Sequence, residues 1–223
     1  MITSLQKILP QSFVSITVTP DILRDRILQF FGMGVGISLL TSFIYISIFL
    51  EQDPIVFFKP DGLSYLILLV HPLSFFLGFL LVFARRWSAQ SLQMIDLGIT
   101  LFNLIGMTAL LAVITPASFI LFPYSLLLLL HAVVIPCRLW VQAVLAITAV
   151  ILYPLGQILS YLYLSEVQKL LVTDGGSKAF WGDLILRFLE INILAGVSVL
   201  MTHALYRSWK ELSQAQRLSL RRH

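Results

Sequence analysis

The chain has 223 residues, 58% of them hydrophobic and only 12% charged, with a net charge of +4. Soluble domains are about 45–50% apolar and about 25% charged, so this composition excludes an ordinary soluble domain and points to an integral membrane protein. One cysteine, Cys137, excludes an intrachain disulfide, and with four scattered histidines it gives no zinc-finger spacing. The charge is too small to argue for nucleic acid, and no nucleic-acid partner is expected.

The first twenty residues do not read as a cleaved signal. Lys7 is followed by Pro10 and several Ser and Thr rather than a continuous apolar core. Thr19-Pro20-Asp21 reads as a helix start, with Thr capping, Pro in the first turn and Asp at the positive end. Ile22, Leu23 and Ile27 then lead toward the bilayer.

A bilayer core about 30 Å thick needs roughly 20 apolar residues in a helix. Six stretches meet that test: Ile27–Leu50, Leu63–Ala84, Leu92–Ile114, Ser118–Pro136, Val141–Tyr163 and Leu184–Tyr206. The expected fold is all-α, a polytopic membrane protein of six transmembrane helices. Residues 1–26 form an N-terminal segment, 27–206 the membrane domain and 207–223 a juxtamembrane connector. Gly32, Gly34 and Gly36 in the first span read as helix-packing positions rather than a phosphate loop. Pro72 and Pro154 are expected to kink the second and fifth spans, and Pro123 marks a first turn of the fourth. The loop from Leu164 to Asp183 is the largest on its side and carries a turn at Asp174-Gly175-Gly176-Ser177.

With six spans, both termini share a side. Eleven Lys and Arg lie there: Lys7, Arg24, Arg26, Arg85, Arg86, Arg138, Arg207, Lys210, Arg217, Arg221 and Arg222. Lys59, Lys169 and Lys178 lie opposite, with Arg187 just inside the sixth span. The positive-inside rule then puts both termini in the cytoplasm.

Polar residues within spans are costly and are therefore the candidate sites. Arg187 and Glu190 sit three apart on one face and read as an interfacial pair or as an outward ligand or proton-sensing pocket, with Asn192 nearby. Asp96 is expected in the first turn of the third span, stabilised by the helix start. His71, His131 and His203 raise a haem reading. His131 and His203 lie at similar estimated depth, but the repeated histidine spacing of a b-type cytochrome is missing. Helix-to-helix hydrogen bonds are preferred for these, and for Asn103 and Gln157. No cofactor or metal and no catalytic motif are expected from the chain. Pro72 and Pro154 occupy matching positions of a three-plus-three arrangement, a weak transporter signal.

After the sixth span comes "LYRSWKELSQAQRLS". Leu205, Trp209, Leu212 and Gln216 alternate by four, three and four, as in a coiled coil. Arg207 and Glu211 are spaced for an ion pair. A basic helix on the anionic leaflet is the plainer reading. The stretch also resembles the juxtamembrane helix of multi-span bacterial signalling proteins, of type Tyr-x-Leu-Arg-x-Glu-x-x-x-Ala-Arg-x-Leu-Gly. Tyr206, Glu211, Ala215 and Leu218 fall on that pattern, Arg217 lies one residue past its second Arg, and Ser219 replaces its Gly. "ARRW" at Ala84–Trp87 and "VVIPCRLWVQAVLAITAVILYPLG" at Val133–Gly156 resemble the same membrane domain. The resemblance implies a membrane anchor and sensor for a cytoplasmic output domain, a eukaryotic-like serine/threonine kinase or a class III adenylate cyclase. It implies a homodimer through the sixth helix and tail, with Leu205, Trp209, Glu211, Leu212 and Ala215 as the connector, and His223 as a cut point before that output. A small transporter or cofactor-binding membrane protein, and a structural subunit of a membrane complex, are the competing readings.

Overall fold

A computed structural model describes residues 20–52, 63–114, 122–135, 137–163 and 176–220. Among them the chain is all helical. There are six helices: α1 (Pro20–Gln52), α2 (Leu63–Ala84), α3 (Ala89–Ile114), α4 (Phe122–Val134), α5 (Leu139–Tyr163) and α6 (Gly176–Leu220). Each expected apolar run overlaps one of them. Four carry stretches long and apolar enough to cross a membrane: Pro20–Phe43, Ala89–Ala109, Leu139–Leu159 and Phe180–Ser208. Leu69–Ala84 and Pro123–Val134 are shorter apolar helices.

Local chemistry sets the ends. Pro20 opens α1 and Asp21 lies in its first turn, complementing the positive end. Pro123 stands in the first described turn of α4. Ser88 caps α3: its Oγ accepts the Ser91 N–H at 3.2 Å. The last carbonyls of α2 are taken by side chains. Arg24 donates to the carbonyls of Val82 (3.3 Å) and Phe83 (2.9 Å), and the Trp87 indole donates to that of Leu81 (2.9 Å). Arg85 lies 5.0 Å over the Trp87 ring. Pro72 and Pro154 both sit inside unbroken helices.

The outward faces of the helices are as apolar as the buried ones. Leu73, Phe76, Leu77, Leu80 and Phe83 of α2 are exposed, while His71, Ser74, Phe75 and Val82 are buried. Lipid is as apolar as leucine, so the inward face is marked by small, aromatic and polar groups rather than by greater hydrophobicity. Helix α1 packs on α2 through interlocking rings and glycines. A Cβ on Gly34 would meet the Phe75 ring at 2.7 Å, and one on Gly78 would meet Phe31 at 2.9 Å. Of the three glycines in the first span, Gly34 is the packing position, whereas Gly32 and Gly36 face open space. Phe30 and Phe75 meet edge-on, ring centres 6.0 Å apart.

Helix α3 is central and packs against α1, α2, α4 and α5, whereas α6 lies mainly on α4 and α5. A second small cluster fixes the start of α6, where Phe180 stacks on Tyr161 at 4.7 Å.

Candidate functional site

Helix α3 presents Asp96, Thr100 and Asn103 at spacings of four and three, one stripe along a helix face. All three are buried, at 1%, 0% and 0% exposure. Polar groups are expensive in such a place, so what they touch decides their meaning.

Asp96 meets His131 of α4, with Oδ2 and Nε2 3.0 Å apart. The other ring nitrogen, Nδ1, is 2.7 Å from Oε1 of Gln142 on α5. The Gln142 amide is oriented by its own Nε2, which donates to the Leu128 carbonyl at 3.2 Å. Its Oε1 must therefore accept, and His131 Nδ1 must donate. That leaves one proton shared between His131 Nε2 and the Asp96 carboxyl. Whether it sits on the ring or on the carboxyl, the pair is neutral overall, the form an apolar interior tolerates best. The rings of Phe30 and His131 meet edge-on, centres 5.2 Å apart. The Cys137 thiol lies 4.0 Å from Gln142 Oε1.

Asp96 departs from the sequence expectation. Ser88 starts α3 at Ala89, so Asp96 is two turns inside the helix rather than in its first turn. Its partner is a histidine on another helix, not the helix end.

A second cluster joins α2 to α3. His71 Nδ1 and Asn103 Oδ1 are 2.9 Å apart, and the Ser74 hydroxyl is 2.9 Å from the same oxygen and 2.8 Å from the His71 carbonyl. Asn103 Nδ2 donates to the Ile99 carbonyl at 2.9 Å, which turns its Oδ1 toward His71. Gly106 makes room for the ring, since a Cβ there would stand 2.9 Å from His71 Cε1. A third cluster joins α3, α4 and α5. Thr108 and Tyr124 share a hydrogen bond, and Tyr124 meets Tyr153 edge-on at 5.6 Å.

Arg187 donates to Glu190 at 2.7 Å, and both side chains are more than a third exposed, at 38% and 40%. Asn192 turns back to the Phe188 carbonyl of its own helix. His203 is exposed, whereas His131 is fully buried. Both His131 ring nitrogens are occupied by hydrogen bonds, which leaves none for a haem iron with His203. Among the described residues no group of three or more metal-ligating side chains gathers.

At the end of the bundle a cavity of about 230 Å³ opens between α1, α4 and α6, lined by Arg26, Ala132, Cys137, Thr202, Leu205 and Tyr206 among others. Cys137 thus touches both this cavity and the His131 cluster. Of the connector residues, Leu205 lines the cavity. The backbone of α6 is helical through Leu220, while the side chains of Trp209, Glu211, Leu212 and Ala215 lie outside the described residues.

The structure therefore brings together Asp96, His131 and Gln142, and separately His71, Ser74 and Asn103. Sequence reasoning did not pair Asp96 with His131 and passed over Gln142, Thr100 and Tyr124. The available signal was the stripe of Asp96, Thr100 and Asn103 in an otherwise apolar helix. Comparisons with family models, with curated proteins and with solved structures return no match.

Proposed function

We propose that this chain is a membrane anchor and sensor module that positions and regulates a cytoplasmic signalling output through α6. The observation that carries the reading is the length and continuity of that helix. It runs unbroken for 45 residues from Gly176 to Leu220. At 1.5 Å per residue that is about 67 Å, roughly twice the thickness of a hydrocarbon core. Its membrane-level part packs on α4 and α5, which hold His131 and Gln142. A change in the buried cluster would thus reach the last helix directly.

In this proposal the chain crosses a bacterial inner membrane six times with both ends in the cytoplasm. The arginine bias supports that orientation. The resemblance of the stretch from Tyr206 to Leu218 supports a kinase or nucleotide cyclase as the output, and a homodimer through α6. The competing transporter reading is favoured by one observation, the row of buried polar groups along α3.

The test uses a chain with Cys137→Ala and single cysteines at Leu205, Trp209 or Leu212, oxidised in native membranes. Symmetric crosslinks at these positions, with weak ones at Lys210 and Ser213, are expected. No crosslink at any of the three would reject a dimeric signalling helix.

A further inference from the structure

The cavity between α1, α4 and α6 sits where the headgroups of a bilayer begin. Arg26 is six residues into the apolar stretch Pro20–Phe43, and Tyr206 is two residues from the end of Phe180–Ser208. Arg24, which holds the end of α2, and Arg85 just beyond that end belong to the same end of the bundle. Arginine and tyrosine settle at this boundary, with the apolar stem or ring in the hydrocarbon and the polar tip outside it. Val133 lines the cavity and is 53% exposed, so the space opens onto the lipid-facing surface.

Its walls differ in what they offer. Arg26 and Tyr206 bring donors. Arg26 gives one N–H to Gln29 Oε1 at 3.2 Å, and a guanidinium has five N–H groups and no acceptor. The end of α4 brings acceptors. Pro136 has no N–H for the Ala132 carbonyl, and the Cys137 N–H that would close on Val133 goes to the Ile135 carbonyl instead, at 2.7 Å. Ala132 and Val133 both line the cavity, and the carbonyl end of a helix carries partial negative charge. Thr202 gives its hydroxyl proton to the Ser198 carbonyl at 3.0 Å, so toward the cavity it can only accept. An occupant that suits both walls carries a negative group with a donor a few atoms away. A cavity of about 150 Å³ holds a benzene ring, so about 230 Å³ holds about nine non-hydrogen atoms. A phosphate joined to a short amino or hydroxy alcohol has that size.

We propose that this cavity seats the headgroup of a membrane phospholipid, with the phosphodiester on Arg26 and Tyr206 and a headgroup ammonium or hydroxyl on the carbonyls at the end of α4. Arginine pairs with phosphate oxygens through two parallel N–H bonds, and such charge-assisted bonds are about twice as strong as neutral ones. The acyl chains leave past Val133 along the outer surface of the bundle, which is already apolar. Ethanolamine and glycerol headgroups supply the donor. A choline headgroup does not, since its nitrogen carries only carbon. The site therefore separates ethanolamine from choline lipids, which have the same net charge. A seated lipid ties α6 to α1 and α4 through Thr202, Leu205 and Tyr206. Its binding does not depend on what α6 drives, so the crosslinking result above and the result below can fail separately.

The experiment places the full chain in phosphatidylcholine liposomes doped with a phospholipid that bears a diazirine on an acyl carbon near its headgroup. The dopant is phosphatidylethanolamine, phosphatidylglycerol or phosphatidylcholine. After illumination, adducts are mapped by mass spectrometry. Labelling of residues 132–137 and 202–206 is divided by that of residues 76–83, a largely exposed stretch of α2 that any surrounding lipid touches. The ethanolamine or glycerol lipid should give a ratio at least fivefold above that of the choline lipid. Arg26→Gln should bring the ratio down to the choline value, and Tyr206→Phe, which keeps the ring, should lower it at least twofold. Arg85→Gln makes the same change of charge at the same end and should leave it unaltered. Glycerol 3-phosphate in the buffer should not compete. Equal ratios for all three lipids would overturn the proposal, as would Arg26→Gln and Tyr206→Phe both labelling like wild type. Loss of labelling with glycerol 3-phosphate would overturn the lipid as occupant in favour of a soluble anion.

Discussion

Among the described glycines, the tightest approach gives a sharp stability test. A Cβ on Gly156 would stand 2.5 Å from Thr108 Cγ2, 3.5 Å from the Thr108 carbonyl oxygen and 3.8 Å from its Cβ. Carbon atoms in good contact are about 3.5–4.0 Å apart, so Gly156→Ala must open α3 from α5 by about 1 Å. Overpacking of that kind costs about 1–3 kcal/mol. Without the clash, the same change would favour the helix by up to about 1 kcal/mol, so even the sign is informative. Thr108→Ser removes the clashing methyl and keeps the hydroxyl that bonds Tyr124 and the Leu104 carbonyl. Alone it should cost about 0.8 kcal/mol, one buried methyl. In the double variant the nearest atom to the introduced methyl would be the carbonyl oxygen, at an ordinary distance. The double variant should therefore be no less stable than Thr108→Ser, with a coupling of about 1–3 kcal/mol. Reversible unfolding in mixed detergent–SDS micelles measures all four corners. Additive effects, or a Gly156→Ala chain as stable as wild type, would refute the packing described.

Three further expectations come from other parts of the bundle. Phe75→Ala, at a residue 2% exposed, should destabilise by about 3–5 kcal/mol in the same unfolding assay, while Phe76→Ala, 46% exposed, should change little. His131→Leu strands Asp96 and Gln142 in the core and should cost about 3–5 kcal/mol, whereas His203→Leu should stay within about 0.5 kcal/mol. Arg24→Gln removes two bonds to the end of α2 and should cost about 1 kcal/mol, seen as faster amide exchange over the residues around Val82 and Phe83.

The helices were legible because an apolar run of about 20 residues has one way to satisfy its backbone in lipid. The Arg187–Glu190 pair was legible too, since both partners lie on one turn of one helix. Asp96 shows where reading by hydropathy stops. An apolar window locates the greasy run at Leu92, while the helix starts at the Ser88 cap, and the difference moves a carboxylate from a solvated end into the core. His131 could be flagged as costly, but its partners come from α3 and α5, 35 and 11 residues away. Nothing local announces which helix faces which. Depth along the bilayer normal matches His131 with His203 in one dimension only. Rotation about the helix axis is the other coordinate, and it puts His203 on the outer surface.

The uninterrupted α6 also has the dimensions of a lever arm. From Tyr206, which lines the cavity, to Leu220 the helix continues for about 21 Å at 1.5 Å per residue. A rigid arm of that length converts a tilt of about 10° at the cavity into a tip displacement of roughly 4 Å. Rearrangements of a few ångström suffice to repack the interfaces through which switches operate. A small shift where Thr202, Leu205 and Tyr206 meet α4 would therefore arrive enlarged at whatever the far end touches.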